Sequence, residues 1–170
     1  DENIVDVIET RVEKGVLVIK TSKQIRQATS NKVYVTVEEI EKIAAFAGSN
    51  IYSESTIGTP SLDITSSAGS NIRLEVSSID MEVSATAGAN ILLEGTTKNI
   101  KLTASAGSNI KAEELVSKNC YAKASSGASI YITVEDNLEG RANSGGNVIY
   151  SGNPENLDIS NSSGGNVRKR

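Results

Sequence analysis

Apolar and polar residues alternate with period 2 along most of this chain, which is the signature of strands with one buried face. The alternation is phased by a corner motif, Gly-x-Asn-Ile or a near variant. It reads Gly48-Ser49-Asn50-Ile51, Gly69-Ser70-Asn71-Ile72, Gly88-Ala89-Asn90-Ile91 and Gly107-Ser108-Asn109-Ile110. Three looser copies follow at Gly127, Gly145 and Gly164, and the glycines are spaced 21, 19, 19, 20, 18 and 19 residues apart. Seven residues before the glycine stand Leu62, Met81, Ile100, Cys120, Leu138 and Leu157; five before stand Ile64, Val83, Leu102, Ala122, Gly140 and Ile159. Smaller residues follow three before it (Ser66, Ala85, Ala104, Ala124, Ala142, Asn161) and one before it (Ala68, Ala87, Ala106, Ser126, Ser144, Ser163). Read as inward columns, these taper toward a tight corner, and Ile51, Ile72, Ile91, Ile110, Ile130, Val148 and Val167 resume the core beyond it. A repeat of this length built from period-2 segments predicts an all-β fold, a single-stranded parallel β-helix of six to seven rungs. The right hand is expected, as crossover connections favour it. Gly and Asn are the residues expected to supply the positive φ of the corner, and stacked Asn amides are expected to bond along the stack.

The first 46 residues break this pattern. Val12-Glu13-Lys14-Gly15-Val16-Leu17-Val18-Ile19 reads as two strands around a Lys-Gly turn, and Val33-Tyr34-Val35-Thr36-Val37 as a further strand. Ile40, Ile43 and Ala45 then lead into the first corner as an imperfect rung. The organisation expected is therefore residues 1–46 as an N-terminal β segment capping the solenoid and residues 47–170 as the repeats, one structural domain in all. Arg168-Lys169-Arg170 is expected as a solvated tail that protects the last edge.

Composition narrows the chemistry. The 170 residues hold no His, so imidazole acid–base chemistry and His metal sites are excluded. The one cysteine, Cys120, forms no internal disulfide; it falls in an inward column and is expected to be a buried, inert thiol. Net charge is −4 with no basic block outside the last three residues, which argues against nucleic acid as a partner. No apolar run is long enough to span a membrane. The chain opens at Asp1 without Met, and a leader removed from a longer precursor is expected.

Chemistry, if present, must lie in the outward columns. Six residues after the glycine come Glu54, Glu75, Glu94 and Glu113, a ladder of carboxylates about 4.8 Å apart. Solvation and neighbouring Lys and Arg are the expected fate of this ladder, with weak divalent-cation binding as the alternative. Catalysis is disfavoured, because a flat ladder has no pocket to separate two carboxyl pKa values. Two further columns, Thr65, Ser84, Thr103, Lys123, Arg141, Ser160 and Ser67, Thr86, Ser105, Ser125, Asn143, Ser162, make a hydroxyl-rich sheet face. Lys and Arg interrupt it, which disfavours the regular Thr array that binds ice. Four after the glycine come Tyr52, Arg73, Leu92, Lys111, Tyr131, Ile149 and Arg168, a mixture of Tyr, Arg and aliphatic side chains typical of contact surfaces. That column is the candidate partner-binding face.

The Gly-Ser-Asn-Ile corners, strands such as Leu62-Asp63-Ile64-Thr65 and Ile100-Lys101-Leu102-Thr103, and the closing Tyr150-Ser151-Gly152-Asn153-Pro154 resemble the head GIN domain of auto-transporter adhesins from Bacteroidetes envelope proteins. Ile8-Glu9-Thr10 through Ile19, followed by Val33-Tyr34-Val35-Thr36, resembles its N-terminal half. The resemblance implies an exported β-helix of the cell envelope with an adhesive role, and it brings no catalytic residues and no cofactor. The expectation is therefore a non-enzymatic surface or periplasmic module that binds a surface protein or glycan, with a homodimer as a further option. The alternatives are a carbohydrate-binding or carbohydrate-active β-helix, or a purely structural domain.

Overall fold

A computed structural model describes residues 6–23 and 31–170, and all regular structure among them is β. The chain divides into two units, Asp1–Glu38 and Glu39–Arg170.

In the first unit, strands β1 (Ile8–Glu13) and β2 (Val16–Thr21) pair antiparallel, with Glu13 opposite Val16. Lys14 and Gly15 between them have φ of 51° and 80°, the two positive values that a type I′ hairpin turn requires. The Lys-Gly turn is thus where the sequence places it. The strand expected over Val33–Val37 is not present: the segment is irregular and exposed, and no described strand pairs with it. Its β-branched residues favour extended backbone, but without a partner ladder that preference produces no sheet.

The second unit is a parallel β-solenoid of about seven turns. Its first rung carries β3 (Lys42–Ala45) and β4 (Asn50–Tyr52), and β5 (Ile57–Ser66) opens the second. Long bent strands follow: β6 (Asn71–Ala85), β7 (Asn90–Ala104), β8 (Asn109–Ala124) and β9 (Ser129–Ala142). The stack closes with β10 (Asn147–Ser151), β11 (Asn156–Asn161) and β12 (Asn166–Lys169). Every ladder in this unit is parallel and joins one rung to the next, as in Ile72↔Ile91↔Ile110↔Ile130↔Val148↔Val167. Residues one repeat apart stack, so like falls on like.

The inward columns form one continuous core. Leu62, Ile64, Ile72, Leu74, Ile91, Leu93, Leu102, Ile110 and Leu138 are all at most 2% exposed. Each such side chain contributes about 1.5–3 kcal/mol by leaving water. The column Ile64, Val83, Leu102, Ala122, Gly140 loses bulk toward the C-terminal rungs. At Gly140 the space is taken by Val167, whose Cγ1 lies 2.8 Å from where a Cβ would stand. The last rung departs from the pattern: Leu157 and Ile159 occupy the same columns but are exposed, because no described strand pairs on their far side. Arg168 and Lys169 belong to β12, and the Arg170 amide donates to the Tyr150 carbonyl, so these three residues extend the last rung and are not a free tail.

The corners correct two assignments. The residue before each glycine does not point inward. Ala68, Ala87, Ala106, Ser126, Ser144 and Ser163 are exposed and carry φ of 48–53°, while the glycines that follow carry 69–75°. Two consecutive left-handed residues close a β-turn, for example Ser70 N–H to Ser67 O at 3.3 Å. The Asn is not a positive-φ residue. The inward position is instead the one after the glycine, where Ser70, Ala89, Ser108 and Ala128 are fully buried. Ser70 and Ser108 satisfy their hydroxyls by donating to Ala45 O and Ala85 O, each at 2.8 Å. The Asn amides bond up the stack as expected: Asn71 Nδ2 to Asn50 Oδ1 (2.8 Å), Asn90 to Asn71 and Asn109 to Asn90 (both 3.1 Å).

Candidate functional site

The candidate contact column forms in register across all seven rungs: Tyr52↔Arg73↔Leu92↔Lys111↔Tyr131↔Ile149↔Arg168. Strand alternation places these residues outward because their neighbours Ile51, Ile72, Leu74 and Leu93 fill the core. Tyr52, Arg73, Lys111 and Arg168 are exposed, and Leu92 and Tyr131 are half-buried. Ile149 is a correction: only 8% of it is exposed, so it is not available for contact. It stands in register between Tyr131 and Arg168.

The carboxylate ladder is shorter than the sequence spacing suggests. Glu75 and Glu94 pair in register, but the next partner of Glu94 is Glu114. The repeat from Gly107 to Gly127 carries one residue more than its predecessor, and a bulge in β8 between Lys111 and Glu114, opposite Leu92 and Glu94, absorbs it, which shifts Glu113 out of line. Glu54 lies beyond the end of β4, outside the paired strands. The members are also engaged individually. Arg73 Nη2 lies 2.9 Å from Glu94 Oε1, Thr56 Oγ1 donates to Glu75 Oε1 at 2.6 Å, and Arg170 Nη1 pairs with Glu113. Among the described residues no group of three His, Cys, Asp or Glu side chains is placed to hold a metal ion.

Cys120 is buried in its column between Ile100 and Leu138, and burial pushes its thiol up to about 12. The hydroxyl-rich columns are aligned and half-buried except at Lys123, Ser160 and Ser162, which are exposed, and Ser105 Oγ donates to Thr86 Oγ1 at 3.2 Å. At the C-terminal rungs Arg141 donates to both oxygens of Asp158 at 3.0 and 2.6 Å, and these bonds hold the Asp158 carboxyl below its ordinary range.

The column eight residues before each glycine holds a second polar ladder that column-by-column reading of apolar positions passed over. Asp80, Asn99, Asn119, Asn137 and Asn156 stack in register. Each amide donates to the residue one rung earlier: Asn99 Nδ2 to Asp80 Oδ1 (2.7 Å), Asn119 to Asn99 (2.8 Å), Asn137 to Asn119 (2.5 Å) and Asn156 to Asn137 (2.6 Å). Its signal in the sequence is the recurrence of Asn at spacings of 20, 18 and 19. Two residues further along runs the outward column Asp63, Glu82, Lys101, Tyr121, Glu139. A shallow groove of about 590 Å³ lies between these columns, with Leu62, Met81, Ile100 and Cys120 beneath it.

The described residues of the second unit form a uniform parallel solenoid with outward side-chain ladders, which places the chain in the parallel β-helix class of all-β folds. The family model described as "Putative auto-transporter adhesin, head GIN domain" matches residues 1–154, and the chain belongs to that family. Among solved structures, a putative adhesin from Bacteroides fragilis NCTC 9343 is 22% identical, with a TM-score of 0.85 over 99% of this chain and 79% of its own. A putative adhesin from Parabacteroides merdae ATCC 43184 is 17% identical, with a TM-score of 0.77 over 100% and 80% of the two chains. A putative lipid binding protein from Parabacteroides distasonis ATCC 8503 is 20% identical, with a TM-score of 0.67 over 100% and 81%. No curated protein matches the chain. No helix among the described residues is long and apolar enough to cross a membrane.

Proposed function

We propose that this chain is a non-enzymatic binding module of the cell envelope, exported to the periplasm or surface, and that it makes contact through the column Tyr52, Arg73, Leu92, Lys111 and Tyr131. The observation that carries the reading is the unbroken register of that column over rigid stacked strands. The strands that carry the column are already paired into the sheet, so contact orders no backbone and the entropy lost is that of the side chains alone. Tyr and Arg then supply large apolar area together with directional donors. Membership of an adhesin family supports an envelope location and a surface partner, protein or glycan. Self-association through the same wall is the other use of such a column.

The test is a triple variant, Tyr52→Ser, Leu92→Ser and Tyr131→Ser, which spares the buried Ile149. Binding of the labelled protein to immobilised glycans and envelope proteins is measured beside its sedimentation coefficient and melting temperature. The proposal expects binding or self-association to fall while the melting temperature holds. A variant that adheres as the parent does, or that unfolds easily, removes this wall from the function.

A further inference from the structure

We infer that the groove beside the second ladder is a subsite for an uncharged, hydroxyl-bearing polysaccharide laid along the solenoid axis. This deepens the envelope-module reading and rests on it, but it places the ligand on a different wall. Three observations carry it. The first is the unspent hydrogen-bonding capacity of the ladder. An Asn amide has two N–H donors and two acceptor lone pairs. Asn99, Asn119 and Asn137 each use one donor and one acceptor along the stack, which leaves one of each per rung. These repeat at about 4.8 Å, and all the ladder donors point the same way, toward the Asp80 carboxylate, so each bond polarises the next. A sugar ring presents adjacent hydroxyls that both donate and accept, and a polymer of such rings repeats them at near rung spacing.

The second observation is the neighbouring outward column, two residues on in the same strands, where Tyr121 lies in register between Lys101 and Glu139. A half-buried phenol ring offers a flat apolar face to the C–H face of a sugar and a hydroxyl at its tip. The third is charge. Asp63, Glu82 and Glu139 along the groove are paired with Lys42, Lys101 and Arg141 at 2.7, 2.7 and 3.1 Å, and Asp80 accepts from Asn99. A lining whose cations are already engaged holds none ready for the phosphates of nucleic acid or the carboxylates of a uronic-acid polymer, which favours neutral chains. A peptide strand is disfavoured as occupant, since the groove crosses the strands of the wall and offers no free backbone edge to pair with.

The experiment is affinity electrophoresis of the full chain in native gels cast with neutral polymers: β-glucan, xylan, mannan and galactan, with polygalacturonate as the acidic control. Cello-, xylo- and manno-oligosaccharides then supply dissociation constants by calorimetry. At least one neutral polymer is expected to retard the protein, with affinity rising with length up to about five sugars, the number of rungs lining the groove. Tyr121→Ala and Asn119→Leu are each expected to weaken binding at least tenfold, and Ser105→Ala, outside the groove lining, to leave it unchanged. Tyr121→Phe is the control for folding, since it keeps the ring and is expected to retain most of the affinity. Absence of retardation by every neutral polymer overturns the inference, as does binding that is indifferent to Tyr121→Ala or stronger for polygalacturonate. Glycan binding lost only in the Tyr52, Leu92 and Tyr131 triple variant likewise overturns it while leaving the proposed contact wall intact.

Discussion

Two glycine-to-alanine substitutions, seven residues apart, should differ several-fold in cost. Gly88 sits in a corner turn at φ +72° and a Cβ added there meets nothing within 4 Å. An L-residue in the left-handed region costs about 1–2 kcal/mol. The stiffer unfolded chain returns about 0.4–1 kcal/mol, so Gly88→Ala should destabilise by about 1 kcal/mol. The neighbouring Ala87 already tolerates φ of 52°. Gly95 is different: its φ is +115°, and an added Cβ would stand 2.0 Å from the Val76 carbonyl oxygen of the preceding rung. Backbone in that region strains a non-glycine residue by about 1–3 kcal/mol. The Val76 carbonyl must also move, and a buried carbonyl pulled from its partner costs about 1–3 kcal/mol. Gly95→Ala should therefore cost about 2–6 kcal/mol. Urea unfolding followed by far-UV circular dichroism measures both, with equal slopes confirming that the same surface is exposed in each variant. If Gly95→Ala unfolds within about 0.5 kcal/mol of Gly88→Ala, then the close approach of rung to rung at Val76 does not constrain the stack and the reasoning fails.

Other expectations follow from the same facing. Ala104→Leu overpacks the narrow side of the core and should cost about 1–3 kcal/mol, whereas the adjacent outward Ser105→Leu should cost far less; equal urea midpoints would contradict the assignment of inward and outward positions. The Cys120 thiol has its folded pKa raised from 9.0 to about 12, so its contribution to stability is complete below pH 9.0 and is lost as pH rises toward 12. Parallel pH titrations of stability should show a steeper alkaline fall for the parent than for Cys120→Ala, and coincident curves would deny the burial argument. Millimolar calcium should leave the melting temperature where an equal ionic strength of sodium leaves it, because Glu75, Glu94 and Glu113 are engaged by Thr56, Arg73 and Arg170. A calcium-specific rise abolished by Glu75→Gln and Glu94→Gln would restore the ladder as a cation site.

The sequence by itself determined the architecture. A phased period-2 pattern with glycine-marked corners permits one economical burial of its apolar columns, which is to stack like on like; hence Ile72, Ile91 and Ile110 coincide as read. It also determined the Lys14-Gly15 turn, whose two residues accept the positive φ that the hairpin needs. What it left to tertiary structure was set by quantities that no local pattern carries. Which corner residues turn left-handed was decided by chain closure: Ala or Ser and then Gly turn, and the following Ser or Ala is driven inward, although composition alone favours Asn for the strain. The carboxylate column depended on where one extra residue was absorbed, and only the inter-rung ladder places that bulge in β8 between Lys111 and Glu114, aligning Glu114 with Glu94 and displacing Glu113. Ile149 took its burial from its neighbours in space and Val33–Val37 lacked a partner, both consequences of contacts far apart in sequence. The Asn99–Asn119–Asn137 ladder was present in the sequence as a spacing, but its function as a wall of directed donors exists only once the rungs lie one strand spacing apart, because only then are the amides within hydrogen-bonding reach.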